Sequence, residues 1–368
     1  MTTLEKIYKR TSTGKIQEWY MEIDGANYRT ISGQKDGKKV VSSWTTCAGK
    51  NIGRSNATTA EEQAMLEALA KRKKKLEKEY KENIEDVDNI TFYSPMLANN
   101  YEGDITYPVY TQPKLDGVRC VITQEGMFSR NGKPFVACPD IVELLKPLFK
   151  ENPDLELDGE LYNHDLKDDF DKLISLIKQQ KPTEEDLEDS AEFVQYHVYD
   201  IRDVNSPFVD RSTRLKELVK QIGSPKFVFV KTKKIKNEEE LDACYDEFLE
   251  EGYEGQMIRT NSLYEFKRTA ALLKRKEFIT EEFELVDVLE GKGNRSGMAG
   301  KVVIRLHKAT TEGETTCEAN PKGGMAFYKR LLTEKDDVIG KKATIEFQNY
   351  TPKGSLRFPK MLAIRDYE

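Results

Sequence analysis

The chain has 368 residues, enough for two or three domains with cores of their own, and its 33% charged and 38% hydrophobic content describes a polar, water-soluble protein. No window approaches about 18 uninterrupted apolar residues, which excludes a membrane-spanning helix. The opening Met-Thr-Thr-Leu-Glu-Lys lacks the apolar run of a secretory signal, so a cytoplasmic protein is expected. Cys47, Cys120, Cys138, Cys244 and Cys317 are odd in number and contain no Cys-x-x-Cys, and the three histidines lie apart. That pattern excludes a disulfide framework and a structural zinc site. The net charge of −6 is unevenly spread: residues 1–81 hold 17 Lys and Arg against 10 Asp and Glu, leaving −13 for the other 287 residues. A basic front end on an acidic body fits a nucleic-acid-contacting appendage beside a metal-using core, and also plain uneven composition.

In chain order, residues 15–23, 28–33 and 39–44 read as short strands divided by Gly-containing turns. Thr58, Thr59, Glu61 and Glu62 mark a helix N-terminus. The helix should run through Glu67 towards Tyr80 with Met65, Leu66, Leu69 and Leu76 on its apolar side. This meander plus helix resembles a WGR-type nucleic-acid-binding module over residues 1–82, although Tyr28-Arg29-Thr30-Ile31 stands where the defining triplet would be. The run Lys71-Arg72-Lys73-Lys74-Lys75 is either a solvated helix face or a phosphate contact, the latter through Lys73 and Lys74. Lys50 and Arg54, in a Gly-rich loop, are further candidates. Polar, acidic residues 83–91 read as a linker.

Residues 92–280 mix alternating strand patterns with amphipathic helices, as in an α+β core. Helices are predicted over 139–150 and 168–178 and near 211–221 and 238–251, with a buried strand over 192–201. From about Glu281 the pattern becomes all-β: strands at 282–289, 301–306 and 343–347, a Gly-rich loop at 291–300, and a short helix near 325–332. Five or so strands with one helix suggest an OB-fold over 281–368.

The chemistry gathers around Lys114-Leu115-Asp116-Gly117-Val118-Arg119, at a strand-turn-strand junction. The glycine permits the turn and close approach of a ligand. A lysine there becomes a nucleophile once neighbouring cations or burial favour its neutral amine. Four further stretches follow in order: Ser129-Arg130-Asn131-Gly132, Glu156-Leu157-Asp158-Gly159-Glu160-Leu161, Glu254-Gly255-Gln256-Met257-Ile258-Arg259 and Leu272-Leu273-Lys274-Arg275-Lys276. Leu356-Arg357-Phe358-Pro359 closes the series. Together they resemble the motifs of covalent nucleotidyltransferases, and the last resembles the ending of ATP-dependent DNA ligases, over roughly residues 92–368. The resemblance implies an α+β nucleotidyltransferase (ATP-grasp-like ligase) catalytic domain followed by the OB-fold.

Carried over position by position, the resemblance makes Lys114 the nucleophile that takes AMP from ATP. Lys274 and Lys276, on one face of a strand, would meet the α-phosphate. Glu160 would hold the ribose and share Mg²⁺ (or Mn²⁺) with Asp158 and Glu254, since hard cations take oxygen ligands. Arg119 and Arg130 would contact ribose and phosphate oxygens, Arg130 also the 5′-phosphate of a nick. Tyr199 would stack on adenine, the alternative being a plain core tyrosine, and Gln112, where glutamate is more usual, would touch base or ribose. Arg295 would contact DNA, and Arg357 or Arg365 would orient pyrophosphate in the first step.

The implied protein is a monomeric ATP-dependent DNA ligase sealing nicked duplex DNA through lysyl-AMP, with the OB domain swinging about residue 281 between steps. Its size and order resemble phage, viral or bacterial ligases, and a phage-encoded one would be expected in the host cytoplasm. A GTP-dependent capping-type enzyme should carry a terminal Arg-x-Asp-Lys, which is absent. NAD-dependent ligases usually add a zinc module built on four cysteines, and this chain has none. A DNA-break binding protein with a degenerate centre is the reading from another class. The intact set Lys114, Glu160, Glu254, Lys274 and Lys276 speaks against it.

Overall fold

The computed structural model describes residues 1–11, 13–89, 92–167 and 169–365. The chain divides into two compact units: residues 91–277, and residues 1–90 together with 278–368.

At the N-terminus, β1 (Thr2–Thr3), β2 (Ile7–Arg10), β3 (Ile16–Asp24), β4 (Asn27–Gln34), β5 (Val40–Val41) and β6 (Thr45–Thr46) form a six-stranded sheet. The period-2 pattern of β3 and β4 puts Trp19, Met21, Ile23 and Tyr28 on one face, where they pack on α1 (Ala60–Leu76). Thr59 and Glu62 cap that helix reciprocally. The buried side of α1 differs from the predicted one. Ala64 and Ala68 are fully buried with Met65 and Leu76 beside them, while Leu66 and Leu69 face solvent at 51% and 46% exposure. Two alanines one turn apart let the helix lie close on the sheet, which larger leucines would prevent.

In the second unit, β7 (Leu97–Asn100), β8 (Val109–Lys114), β9 (Val118–Thr123), β10 (Gly126–Ser129), α2 (Pro139–Glu151), β11 (Leu157–Tyr162), α3 (Phe170–Lys178), α4 (Glu184–Phe193), β12 (Gln195–Ile201), α5 (Phe208–Ile222), β13 (Phe227–Phe229), β14 (Lys233–Ile235), α6 (Glu238–Glu250), β15 (Gly255–Arg259) and β16 (Arg268–Lys276) build two five-stranded sheets. One runs β10-β9-β11-β12-β13 and the other β14-β8-β15-β16-β7. The predicted start of the 168–178 helix at Asp168 lies outside the described residues. The strand predicted from Glu192 begins only at Gln195. Glu192 and Phe193 end α4, a helix not predicted, which Thr183 and Asp186 cap and acidic residues start.

Residues 278–368 contain a closed barrel of β17 (Ile279–Glu290), β18 (Ala299–Arg305), β19 (Thr316–Pro321), β20 (Lys342–Phe347) and β21 (Lys360–Ile364), in the order 17-18-19-21-20. Helices α7 (Met325–Thr333) and α8 (Lys335–Val338) lie between β19 and β20. Phe283, Leu285, Val302, Ile304, Ile345 and Phe347 fill the interior from alternate positions. Among the described residues, no helix is long and apolar enough to cross a membrane.

Candidate active site

The turn Leu115–Gly117 joins strands that belong to different sheets. Lys114 ends β8 in one, and Val118 begins β9 in the other. The motif is therefore a crossover between sheets rather than a hairpin, and this brings lysines of one sheet to carboxylates and aromatics of the other. Gly117 is required by space: a Cβ there would lie 2.5 Å from the Leu161 carbonyl oxygen and 2.7 Å from Glu160 Cγ. Gly255, at φ +149°, has the same role beside Arg275, whose carbonyl oxygen a Cβ would meet at 2.3 Å.

Register assembles the cations. Lys114 pairs across β15 with Gly255, and Gly255 pairs with Lys276 on β16; two residues on, Gln112, Met257 and Lys274 form the next row on the same face. Glu254, just before β15, takes Lys114 on one carboxylate oxygen and Lys276 on the other at 3.0 Å. Burial works to raise the pKa of Glu254, but Lys114 and Lys276 outweigh it and hold it below its ordinary value. Lys274 is shifted down by burial, then by Lys276, Lys114 and Arg268.

The second sheet supplies the other wall. Arg119 and Glu160 are cross-strand partners on β9 and β11. Arg119 donates both arms to Asp158, at 2.9 and 2.6 Å, and the Tyr264 hydroxyl donates to the same carboxylate at 2.7 Å. Burial lifts the pKa of Glu160 to about 8; Lys114 and Arg119 pull against this, while Asp158 and Glu254 add to it. Opposite it, the pairing of β11 with β12 shifts register between Asp158 and Gly159. This irregularity takes Tyr199 out of the pairing register, and its hydroxyl donates to Glu160 at 3.3 Å.

Lys114, Gln112, Arg119, Glu160, Tyr199 and Lys274 line a cleft of about 250 Å³, with Arg130 also on its wall. Arg130 is exposed at the rim. Lys276 stands one register row beyond Lys274 and reaches the site through Glu254. Two of the predicted site residues are engaged within the protein. Asp158 is fully buried, with its two oxygens bonded to Arg119 and Tyr264, and in this arrangement it positions Arg119. Gln112 is 1% exposed and spends its amide inside the protein, donating to the Tyr199 carbonyl and Thr232 and accepting from Arg259. It nevertheless forms part of the cleft wall.

Three cleft-side residues escape a reading of the sequence alone. Arg259 and Arg268 line the walls, and Arg211 anchors Asp200 behind Arg259. Arg259 lies inside one of the motifs, but only the structure gives it a buried carboxylate partner. Among the described residues, no group of three or more His, Cys, Asp or Glu side chains is arranged to hold a metal alone. Glu160 and Glu254 nevertheless suit a Mg²⁺ that takes one or two carboxylates and completes its shell with substrate phosphates and water. The cations around them suit a triphosphate.

Outside the cleft the predicted contacts are scattered. Lys50 is paired with Glu67 at 3.1 Å, and Arg54, Lys73 and Lys74 are exposed. Arg295 lies 4.6 Å over the Tyr328 ring. Arg365 donates to Thr344 at 2.6 Å and pairs with Glu282 at 3.3 Å, while Arg357 lies over Phe358.

Residues 69–276 match the family model for the ATP dependent DNA ligase domain, which covers more than half of the chain. The chain belongs to the ATP-dependent DNA ligase domain family. Among its relatives is an African swine fever virus DNA ligase (isolate Warthog/Namibia/Wart80/1980), 29% identical over 329 residues, covering 83% of this chain and 75% of that protein. A Haemophilus influenzae DNA ligase is 23% identical over 266 residues, covering 72% of this chain and 89% of that one. A solved Lig E DNA ligase structure superposes with a TM-score of 0.61 at 22% identity, over 74% of this chain and 99% of its own, a likeness of fold. Within this ligase family the cleft between the two sheets is the candidate site for nucleotide chemistry.

Proposed function

We propose that the chain seals nicks in duplex DNA at the expense of ATP, with Lys114 as the nucleophile. The observation that carries this reading is the convergence of Lys114, Lys274, Lys276, Glu254, Glu160 and Arg119 on one cleft from two sheets. Lys114 Nζ would bond to the α-phosphorus of ATP with release of pyrophosphate. The AMP would then pass to the 5′-phosphate of the nick, and the 3′-hydroxyl would displace it. Such transfers depend chiefly on positioning and charge neutralisation. Glu254 holds Lys114 and Lys276 in place, Lys274 faces the phosphates, and Arg119, fixed by Asp158, works with Glu160 on the ribose. Tyr199, aimed by the irregular β11–β12 pairing, offers its ring to the base. Mg²⁺, held by Glu160, Glu254 or both, would supply neutralisation of phosphate charge.

Arg130 at the rim would meet the 5′-phosphate of the nick, and Arg357 or Arg365 would orient pyrophosphate. The N-terminal sheet and helix support a WGR-like module touching DNA through Arg54, Lys73 and Lys74. The domains we assign are 1–82, 92–280 and 281–368, joined by a linker at 83–91.

The test is the intact mass of the purified protein after Mg²⁺ with ATP, GTP or NAD, run beside Lys114→Ala. One added AMP from ATP alone, absent from the variant and followed by sealing of nicked duplex, is expected. Added GMP would redirect the reading to a capping-type enzyme. No adduct, once AMP carried over from expression is excluded, would leave a DNA-binding protein.

A further inference from the structure

Arg259 has a feature that the adenylation chemistry leaves unused. The residue is only 3% exposed, yet it forms part of the cleft wall. Its Nε donates to Gln112 Oε1 at 2.8 Å and its Nη1 to Asp200 Oδ2 at 2.7 Å. Nη2 has no acceptor among the described residues, and it is not one of the buried polar atoms sealed away from the surface. A buried arginine with two nitrogens fixed and the third open to a cavity is a donor prepared for a ligand.

The guanidinium cannot turn to satisfy itself. Asp200 is fully buried and held from its far side by Arg211 at 2.7 and 3.1 Å. Gln112 is locked by the Tyr199 carbonyl at 3.1 Å and Thr232 at 2.9 Å. The Tyr199 ring, the proposed stacking platform, lies 5.5 Å from the Arg259 guanidinium.

Position indicates which part of a nucleotide would meet this donor. Lys114 is opposite Gly255 and Tyr110 is opposite Arg259 on the same strand pair. Arg259 is therefore four residues, about 13 Å, further along the sheet than the nucleophile. With the α-phosphate at Lys114 and the ribose between Arg119 and Glu160, the base extends towards Arg259. The purine atoms farthest from the glycosidic bond form the Watson–Crick edge. There adenine presents the N1 lone pair and guanine an N1–H. A permanently charged guanidinium can only donate, so guanine would set donor against donor in a buried site.

We infer that Arg259 selects adenine, its free Nη2 donating to N1 of the base, an assignment that rests on the cleft being the ATP site. Base selection then lies in a chain of four buried side chains, Arg211, Asp200, Arg259 and Gln112, rather than in Gln112 itself.

The test follows formation of the Lys114 adduct by intact mass in the unaltered full-length protein with ATP, 1-deaza-ATP, 7-deaza-ATP and GTP. A charge-assisted hydrogen bond predicts a second-order rate about 10- to 100-fold lower for 1-deaza-ATP than for ATP, with 7-deaza-ATP within about twofold of ATP. Arg259→Met should bring ATP and 1-deaza-ATP to within about threefold of each other. Arg259→Lys, which keeps a cation beside Asp200, should retain part of the gap. Equal use of ATP and 1-deaza-ATP by the unaltered enzyme would overturn the assignment even if neither variant folds. A penalty on 7-deaza-ATP instead would overturn the edge assigned. No adduct from ATP itself would remove the nucleotide reading and this inference together, so the two failures are distinguishable.

Discussion

In the cleft, Lys114 and Lys276 share Glu254, Arg119 grips Asp158, and Arg259 and Arg211 share Asp200. Along α1, by contrast, Lys71 lies 4.8 Å over the Tyr28 ring, and Lys75 lies near the rings of Trp19 and Tyr80. Lys73 and Lys74 project into solvent. Both regions are rich in cations, but only the first pairs them through neighbouring strands in a buried setting. A charge removed from water must find a carboxylate or carry a large desolvation penalty, so the cleft fixes each cation in a single geometry. A surface helix imposes no such demand. Its lysines either rest their ammonium groups over aromatic rings, as Lys71 and Lys75 do, or keep them in water, as Lys73 and Lys74 do.

If that contrast holds, the largest loss comes from the shared carboxylate. Glu254→Gln removes the charge that positions Lys114 and Lys276 while leaving the β8-β15-β16 backbone ladder in place. Adduct formation should fall by about 10²- to 10³-fold, the scale seen when one preorganised electrostatic group is removed from a site. Thermal unfolding should still be cooperative. Lys50→Gln, which breaks the exposed pair with Glu67, should change adduct formation by less than about twofold, because surface pairs contribute little. Equal effects from the two substitutions would break the comparison.

Gly117→Ala tests the crossover itself. Its Cβ would press on the Leu161 carbonyl and on Glu160 Cγ, so both partners must shift. A loss of about 1–3 kcal/mol of stability is expected from the overpacking. The adduct rate should drop roughly tenfold or more, because small displacements at a reacting centre are costly. Urea unfolding and intact-mass kinetics on the same preparation separate the two effects.

A smaller effect follows from Glu160, whose pKa of about 8 in the fold lies above its ordinary value near 4.5. A raised folded-state value means that the stabilising difference is fully present below about pH 4.5 and is lost as pH rises towards 8. Replacing the group with a neutral amide removes this dependence. The melting temperature of Glu160→Gln should therefore rise relative to the parent between about pH 5 and pH 9, since other groups cancel in the difference. A difference that stays flat, or falls, would contradict the burial that lifts Glu160.

The same contrast explains how much is legible in the sequence. Lys114, Glu160, Glu254 and Lys274 can be read there because their motifs fix residue type and order, and because strand registers carry little freedom once both sheets are buried. The partners of those residues cannot. Asp158 shares a face with Glu160 as the two-residue period implies, but Arg119 and Tyr264, 39 and 106 positions away, decide that its oxygens are consumed. Gln112 is likewise claimed by Thr232 and Arg259, which no local pattern connects to it. The barrel and α1 are legible from periodicity. The buried stripe of α1 is misplaced by that reading because Leu66 and Leu69 outrank Ala64 and Ala68 in hydrophobicity, while close helix–sheet packing favours the smaller pair. The acidic helix α4 is hidden because its only strong signal is the Thr183–Asp186 cap.

The smallest effect separates two kinds of lysine on one helix. If α1 meets DNA, Lys73→Gln and Lys74→Gln should each reduce the slope of log affinity against log salt by about one, because every phosphate that a lysine neutralises releases roughly one counterion. Neither should alter the melting temperature, since both side chains are solvated. Lys71→Gln and Lys75→Gln should show the reverse pattern. Their heads are engaged with Tyr28, Trp19 and Tyr80, so a loss of about 0.5–1 kcal/mol of stability is expected from the cation–π interactions. The salt slope should then be nearly unchanged. Titrating nicked duplex into each variant at several salt concentrations, with melting curves alongside, distinguishes the two patterns. Four identical salt slopes would mean that this helix carries its charge for solubility, and that the N-terminal region meets DNA elsewhere on its surface.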